Sequence, residues 1–227
     1  MTGSDREERT RRMAVESLAA DDPTGWFEHL YLSARTGEAV VPWDRGAPHP
    51  LLVQWAEGAD GTSSIDRRAL RAVVVGCGLG SDAEFVAGLG FDTTAFDIAA
   101  SAIETARGRF PDSPVDYRTA DLLDLPPELR QSFDFVFESL TVQSLPIPLR
   151  SRATAGVAEL VRPGGTLLVV ASARDEGDPL DGPPWPLTRA EVEAFAVTEA
   201  LEPVRIEEIG DTTAATATRW WRAEFRR

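Results

Sequence analysis

The chain predicts an α/β fold: a doubly wound, mostly parallel seven-stranded sheet with a C-terminal antiparallel hairpin and an N-terminal helical cap. Three observations carry that expectation. From residue 70 onward, β-branched and aromatic runs alternate with helix-forming segments, the pattern of a parallel sheet covered on both faces. Right-handed crossovers then wind the helices onto both sides. Near the end, two strand-forming runs at 203–209 and 217–225 flank a polar turn, which reads as a hairpin.

The first 66 residues read as cap and lid. Residues 5–20 suit a helix whose few apolar positions are Met13, Val15 and Leu18. Asp22-Pro23 reads as an N-cap followed by proline at the first helical position. That helix carries the apolar stripe Trp26, Phe27, Leu30 and Tyr31. A proline-rich stretch, Val41 to Pro50, follows. Pro50 opens a helix expected to bury Leu51, Leu52 and Trp55, and 57–66 is a polar loop. With few backbone partners of its own, 24–50 is expected to close over a ligand.

The core, 67–227, completes a single domain. Ala72–Val75 is a β-branched strand, and a glycine-rich turn leads into a helix at 81–89. Strand 92–97, helix 99–109 and strand 114–119 come next. A fourth strand spans Phe133–Phe137, a helix 148–161 and a fifth strand Thr166–Ala171. A helix at 188–197 precedes the hairpin.

Composition narrows the function. A net charge of −14 argues against nucleic acid or an anionic membrane as partner, since both need a basic footprint. One cysteine, Cys77, permits neither an internal disulfide nor a multi-cysteine metal site, and no metal is expected. The absence of lysine excludes Schiff-base chemistry. No apolar run is long enough to span a membrane. Met1–Arg12 has no signal-peptide pattern, so a cytoplasmic protein is expected, as monomer or homodimer.

Four local signals point to a ligand at the sheet's C-terminal edge. Gly76-Cys77-Gly78-Leu79-Gly80 lets the backbone pass close to a ligand beside a helix N-terminus. A dinucleotide fingerprint would put glycine or alanine at 81, where this chain has Ser81. Asp97 ends the second strand, where a carboxylate accepts from both ribose hydroxyls or caps the next helix. Asp121, with Ala120 and Leu122, follows the third strand and suits either an adenine amino group or a turn, with Asp124 as rival. Finally, Arg162-Pro163-Gly164-Gly165 stops a helix before a buried strand.

In this order and spacing, the four signals resemble class I S-adenosylmethionine-dependent methyltransferases, whose fold is Rossmann-like. The flanks resemble the thiopurine S-methyltransferase-like group and its bacterial thiol- and tellurite-methylating relatives. They are an aromatic N-terminal segment with Trp26 and Trp43, and the loop Gly182-Pro183-Pro184-Trp185. The chain departs from that group at Glu138-Ser139, where an Asp-Arg pair is expected.

The resemblance implies S-adenosylmethionine as cofactor, S-adenosylhomocysteine as product and a small-molecule acceptor. It assigns the cofactor to Trp26, Trp43, Gly76, Cys77, Gly78, Asp97, Ile98, Ala120, Asp121, Leu122, Glu138 and Ser139. Acceptor contacts fall on Trp43, Arg174 and Trp185, with Arg45 another source of a cation. Glu138 is the candidate general base or a contact to the cofactor's amino-acid end. Asp44, His29 and His49 are weaker bases. Cys77 fills a position where packing needs a small side chain. S-methylation of an aromatic or apolar thiol is the leading expectation, because sulfur needs a base least. O- or N-methylation, a nicotinamide oxidoreductase and a cofactor-binding regulator are the alternatives.

Overall fold

The computed structural model describes residues 3–58, 70–178, 182, 184–197, 201–211 and 218–227. Strands β1 (Arg71–Val75), β2 (Asp92–Asp97), β3 (Asp116–Thr119), β4 (Phe133–Ser139), β5 (Val161–Ser172), β6 (Glu202–Asp211) and β7 (Thr218–Arg226) make one sheet. Their order is β3-β2-β1-β4-β5-β7-β6. The first five run parallel, and β7 is antiparallel to both β5 and β6. The doubly wound sheet and its terminal hairpin are therefore as the sequence predicts; the hairpin's polar turn, 212–217, lies outside the described residues. So does most of the predicted 57–66 loop.

Alternation along each strand sorts side chains to two faces. Val73, Val75, Val136, Leu167 and Val169 meet helices α6 (Ile147–Leu160) and α7 (Arg189–Val197) through Val157, Leu160, Val192 and Phe195. Ala72, Val74, Phe135, Phe137 and Leu168 meet α3 (Pro50–Gly58), α4 (Ser81–Gly88) and α5 (Ala100–Arg109) on the other face. Each fully buried valine, leucine or phenylalanine contributes about 1.5–3 kcal/mol. Trp220 and Trp221 fall on opposite faces, as the period requires. Trp221 is buried with its Nε1–H on Leu187 O at 2.8 Å, and Trp220 meets His49 edge-on at 4.9 Å.

The cap consists of α1 (Gly3–Ala19), α2 (Gly25–Arg35) and the loop to α3. The helix starts later than Asp22-Pro23 predicts: α2 begins at Gly25 with Thr24 at the N-cap, and Asp22 Oδ1 accepts the Gly25 N–H at 2.8 Å from the turn before it. Among the described side chains of α1 the buried ones are Thr10 and Ala14, whereas Val15 is 59% exposed; Ala14 packs with Trp26 and Leu30, and Met13 lies against the same cluster. Trp55 is half-buried, stacked on Phe135 at 4.8 Å, with Nε1–H on Glu224.

The segment 24–50 is better anchored than its proline content suggests. Glu28 Oε2 accepts the Ser101 N–H at 3.1 Å, so the cap helix supplies a carboxylate to the N-terminus of α5, where the helix dipole favours it. Arg35 pairs with Glu104 at 3.0 Å, and Asp44 takes a two-pronged bond from Arg109 at 2.8 and 3.2 Å.

The connection from β5 to α7 is held by a buried arginine. Arg150 donates through Nε to Leu145 O, through Nη2 to Trp185 O, and through Nη1 to Glu191. Arg150→Met leaves both carbonyls and part of the Glu191 charge uncompensated. It is expected to lower stability by about 2–4 kcal/mol, read as a shifted urea midpoint; a shift below the urea error would mean the loop is held otherwise.

Candidate active site

The glycine-rich turn exists because three groups crowd β1's end. Gly76 has φ +57°, and a Cβ there would lie 2.3 Å from Thr141 Oγ1, which donates to Val75 O at 3.1 Å. Gly78 has φ +51° and approaches the Tyr31 hydroxyl of the cap. The Cys77 N–H ties the turn to Phe96 O at 2.9 Å. The Cys77 thiol is buried, and burial with the nearby Asp97 charge raises its pKa well above normal. It packs rather than reacts.

Asp97 joins the turn to the next helix. Its Oδ2 accepts the Gly78 N–H at 2.9 Å and its Oδ1 the Ala99 N–H at 3.0 Å. Burial pushes its pKa up to about 6, against the opposing pull of those backbone donors. The N-cap of α5 is Ala99 rather than Asp97; Asp97 holds the Ala99 N–H just before the helix and also lines an open cleft. Asp121 behaves alike: Oδ1 accepts the Leu123 N–H at 2.8 Å while the residue faces the same cleft.

The cleft opens to solvent and encloses about 70 Å³. Of the sequence-assigned cofactor residues, Trp43, Gly76, Asp97, Ile98, Ala120, Asp121, Leu122 and Ser139 line it. Cys77 and Gly78 instead line a small adjoining hollow of about 50 Å³. Trp43, Gly76, Ser139 and Leu140 border both spaces.

Four of the sequence candidates lie away from both spaces. Trp26 is 1% exposed, stacked on Phe27 at 4.2 Å inside the cap, and does not line the cleft. Phe27 and Tyr31 do so instead. The stripe holds two i, i+4 pairs: Trp26 and Leu30 fill the cap's core, while Phe27 and Tyr31 face the ligand space. The Trp43 Nε1–H donates to the Tyr31 hydroxyl at 2.9 Å, fixing the cap wall. Glu138 is 1% exposed and also lines neither space. Its Oε1 accepts the Thr141 and Val142 N–H groups at 2.8 and 3.0 Å, so it holds the loop after β4. Burial raises its pKa to about 7 despite those donors.

Arg174 and Trp185 are likewise not among the residues lining cleft or hollow. The Arg174 guanidinium is drawn to Pro186 O at 2.8 Å and Glu191 Oε2 at 3.0 Å, and the Trp185 N–H donates to Gln143 O at 2.8 Å. Among the weaker candidates, Asp44 is taken by Arg109 and held below the usual carboxylate range by that bond. His49 lines the hollow; His29 lines neither space.

Comparison with known proteins agrees with this geometry. A family model described as a methyltransferase domain matches residues 73–169. Probable thiol methyltransferase 2 of Arabidopsis thaliana is 25% identical over 202 residues, covering 87% of this chain and 83% of the relative. The structure solved for conversion of a disulfide bond into a thioacetal group during echinomycin biosynthesis superposes with a TM-score of 0.69 at 22% identity, covering 88% and 91% of the two chains. Magnesium protoporphyrin IX methyltransferase from Synechocystis PCC 6803 with bound S-adenosylmethionine gives 0.58 at 19% identity, covering 78% and 76%. The chain is an S-adenosylmethionine-dependent methyltransferase.

The methyltransferase's cleft suits that cofactor. Asp97 retains acceptor capacity for ribose hydroxyls, Asp121 for an adenine amino group, and Ile98, Leu122 and Phe27 offer apolar surface to a ring. The missing side chain at Gly76 keeps the strand end open. No helix among the described residues is long and apolar enough to cross a membrane, and those residues hold no metal-ligand cluster.

Asp97→Ala is expected to weaken S-adenosylhomocysteine binding more than about tenfold in calorimetry, with the fold intact; unchanged affinity would remove Asp97 from the ribose site. For Glu138, the folded pKa near 7 lies above the usual value of 4.5. The proton therefore stabilises the fold fully below about 4.5, and that contribution is lost as pH rises through about 7. Glu138→Gln is expected to gain stability relative to the parent between about pH 5.5 and pH 8. A difference independent of pH would contradict the shift.

Proposed function

We propose that this methyltransferase S-methylates a small thiol of aromatic or apolar character. The observation that carries the reading is the border between cleft and hollow. Trp43, Gly76, Ser139 and Leu140 meet there, and none is a general base. The nearest carboxylates are committed elsewhere: Asp97 and Asp121 to backbone N–H groups, Asp44 to Arg109 and Glu138 to the loop it anchors. A thiol ionises near pH 8.5 with little help, whereas a phenol near pH 10 gains more from a base. The thiol named for the Arabidopsis relative and the sulfur chemistry of the echinomycin enzyme point the same way.

S-adenosylmethionine, when bound, supplies an activated methyl group. The chain's residues orient and exclude water. Asp97 and Asp121 fix the nucleoside end, Phe27, Tyr31 and Trp43 cover it, and Gly76 leaves backbone clearance beside Ser139 and Leu140. Alignment of this kind is worth about 7–11 kcal/mol. O-methylation of a phenol is the second reading, and it would need Glu138 to turn outward.

Single-turnover rates for a matched thiophenol and phenol, taken against pH, test the choice. The thiol is expected to react faster, with a rate that follows its own ionisation and survives Glu138→Gln. Faster phenol turnover that falls by about 10²–10⁴ in Glu138→Gln would make Glu138 a base and the acceptor an oxygen.

A further inference from the structure

Among the described residues, three that are not glycine take a left-handed backbone: Asp21, Gln131 and Leu140. Asp21 and Gln131 sit in exposed turns. Leu140 is half-buried, has φ +64°, and lines both the cleft and the hollow. A branched apolar residue gains nothing of its own from this conformation, which brings Cβ too close to the backbone. It persists only where the surroundings over-determine it.

Here they do. The Leu140 N–H donates to Val170 O at 3.1 Å, and Leu140 O accepts the Ser144 hydroxyl at 2.7 Å. On the next two residues, Glu138 Oε1 accepts both the Thr141 and the Val142 N–H. The Thr141 hydroxyl is tied in turn to Val75 O. The chain therefore turns back at Leu140 around a single carboxyl oxygen. The other oxygen, Glu138 Oε2, is buried with no hydrogen-bond partner among the described residues. An unpaired buried oxygen is costly, so the benefit of a carboxyl at this position lies in what Oε1 holds.

The border between cleft and hollow shows what is being held. Gly76 can carry no side chain, because a Cβ would strike Thr141. Ser139 is small, and the Trp43 ring is fixed by its bond to Tyr31. Leu140 remains as the bulky side chain whose place is decided by its own backbone. The enclosed spaces that it borders are small, about 70 and 50 Å³. A side chain of this size standing between them limits the bulk of whatever reacts there.

We propose that Leu140 sets the size of the methyl acceptor, and that Glu138 is a positioning residue that holds Leu140 left-handed through the Thr141 and Val142 N–H groups. This rests on the methyltransferase assignment and not on the choice of sulfur.

Leu140→Ala tests the wall. Values of kcat/KM are compared for thiophenol and the bulkier 2-naphthalenethiol, or for phenol and 2-naphthol if the thiols are not methylated, an outcome that sinks the thiol reading alone. The ratio of bulky to small acceptor is expected to rise about tenfold, the discrimination that a methylene or two gives in an apolar pocket, with S-adenosylhomocysteine affinity in calorimetry within about threefold of the parent. An unchanged ratio, or a loss that falls on S-adenosylhomocysteine instead, overturns the assignment of Leu140.

Glu138→Gln keeps an oxygen for the two N–H groups, and Glu138→Met does not. Amide exchange at Thr141 and Val142, read without cofactor or acceptor, is expected to be about tenfold faster in Glu138→Met and little changed in Glu138→Gln. In Glu138→Met, kcat is expected to fall about tenfold for both acceptors. Made in the Leu140→Gly background, the same change is expected to cost at most about threefold, since glycine needs no holding at positive φ. An equal cost in both backgrounds means that Glu138 does not act through Leu140. An equal loss in Glu138→Gln and Glu138→Met means that it acts as an acid or base. Either result overturns the positioning role. If neither acceptor pair is methylated, amide exchange decides, and equal protection in the parent and Glu138→Met overturns the proposal.

Discussion

The Asp97 carboxylate is the constraint on which the site depends. One oxygen takes the Gly78 N–H and the other the Ala99 N–H, so a single side chain fixes both the glycine-rich turn after β1 and the start of α5. Those two elements set the distance between β1 and β2 at their ligand-facing ends. The arrangement is costly to ionise when buried, as its raised pKa records. The backbone donors make it tolerable, and hydroxyl donors from a ligand would improve it further. The burial that makes this carboxylate costly to ionise also makes hydroxyl donors from a ligand worth more to it.

The cap extends that logic from the other side. Glu28 takes the N–H of Ser101 in the first turn of α5, two residues from Asp97's bond to Ala99. Tyr31 sits close enough to Asp97 for the charge to raise its hydroxyl pKa further beyond what burial does, which keeps it protonated and available to accept from Trp43. Gly78 lacks a side chain where Tyr31 comes nearest. The cap is therefore seated by the same few groups that shape the cleft, and loosening α2 would disturb the floor as well as the lid.

Much of the fold was legible in the sequence because its signals are local. β-Branched runs of four to six residues mark the parallel strands, and the Gly76–Gly80 turn and Asp97 each sit at a strand end where topology alone brings ligands. What was not legible depends on distant partners. Trp26 and Phe27 are neighbours on one helix, and only the position of α2 on α5 decides which faces the cleft. Glu138 stands at a strand end like Asp97, but Thr141 and Val142 fold back to take its oxygen. Arg174 and Trp185 looked available until Glu191, Pro186 and Gln143 claimed their polar groups.

The division of the ligand space follows from these placements. Apolar and aromatic groups, Phe27, Phe96, Leu122, Leu140 and Leu145, gather in the cleft, where a nucleoside needs surface and two well-placed acceptors. Charge gathers in the hollow. The four residues at the border belong to both, and they carry no titratable side chain. A reacting atom placed there would meet neither a base nor a bulk of water, only a tryptophan, a leucine, a serine and a bare strand end. Under the proposed thiol methylation, chemistry in such a place is governed by what the reactants bring, an activated methyl group and a nucleophile that ionises on its own. The protein's contribution is then position. On that reading the polar side chains hold turns and loops, as Asp97, Asp121 and Glu138 do, rather than move protons.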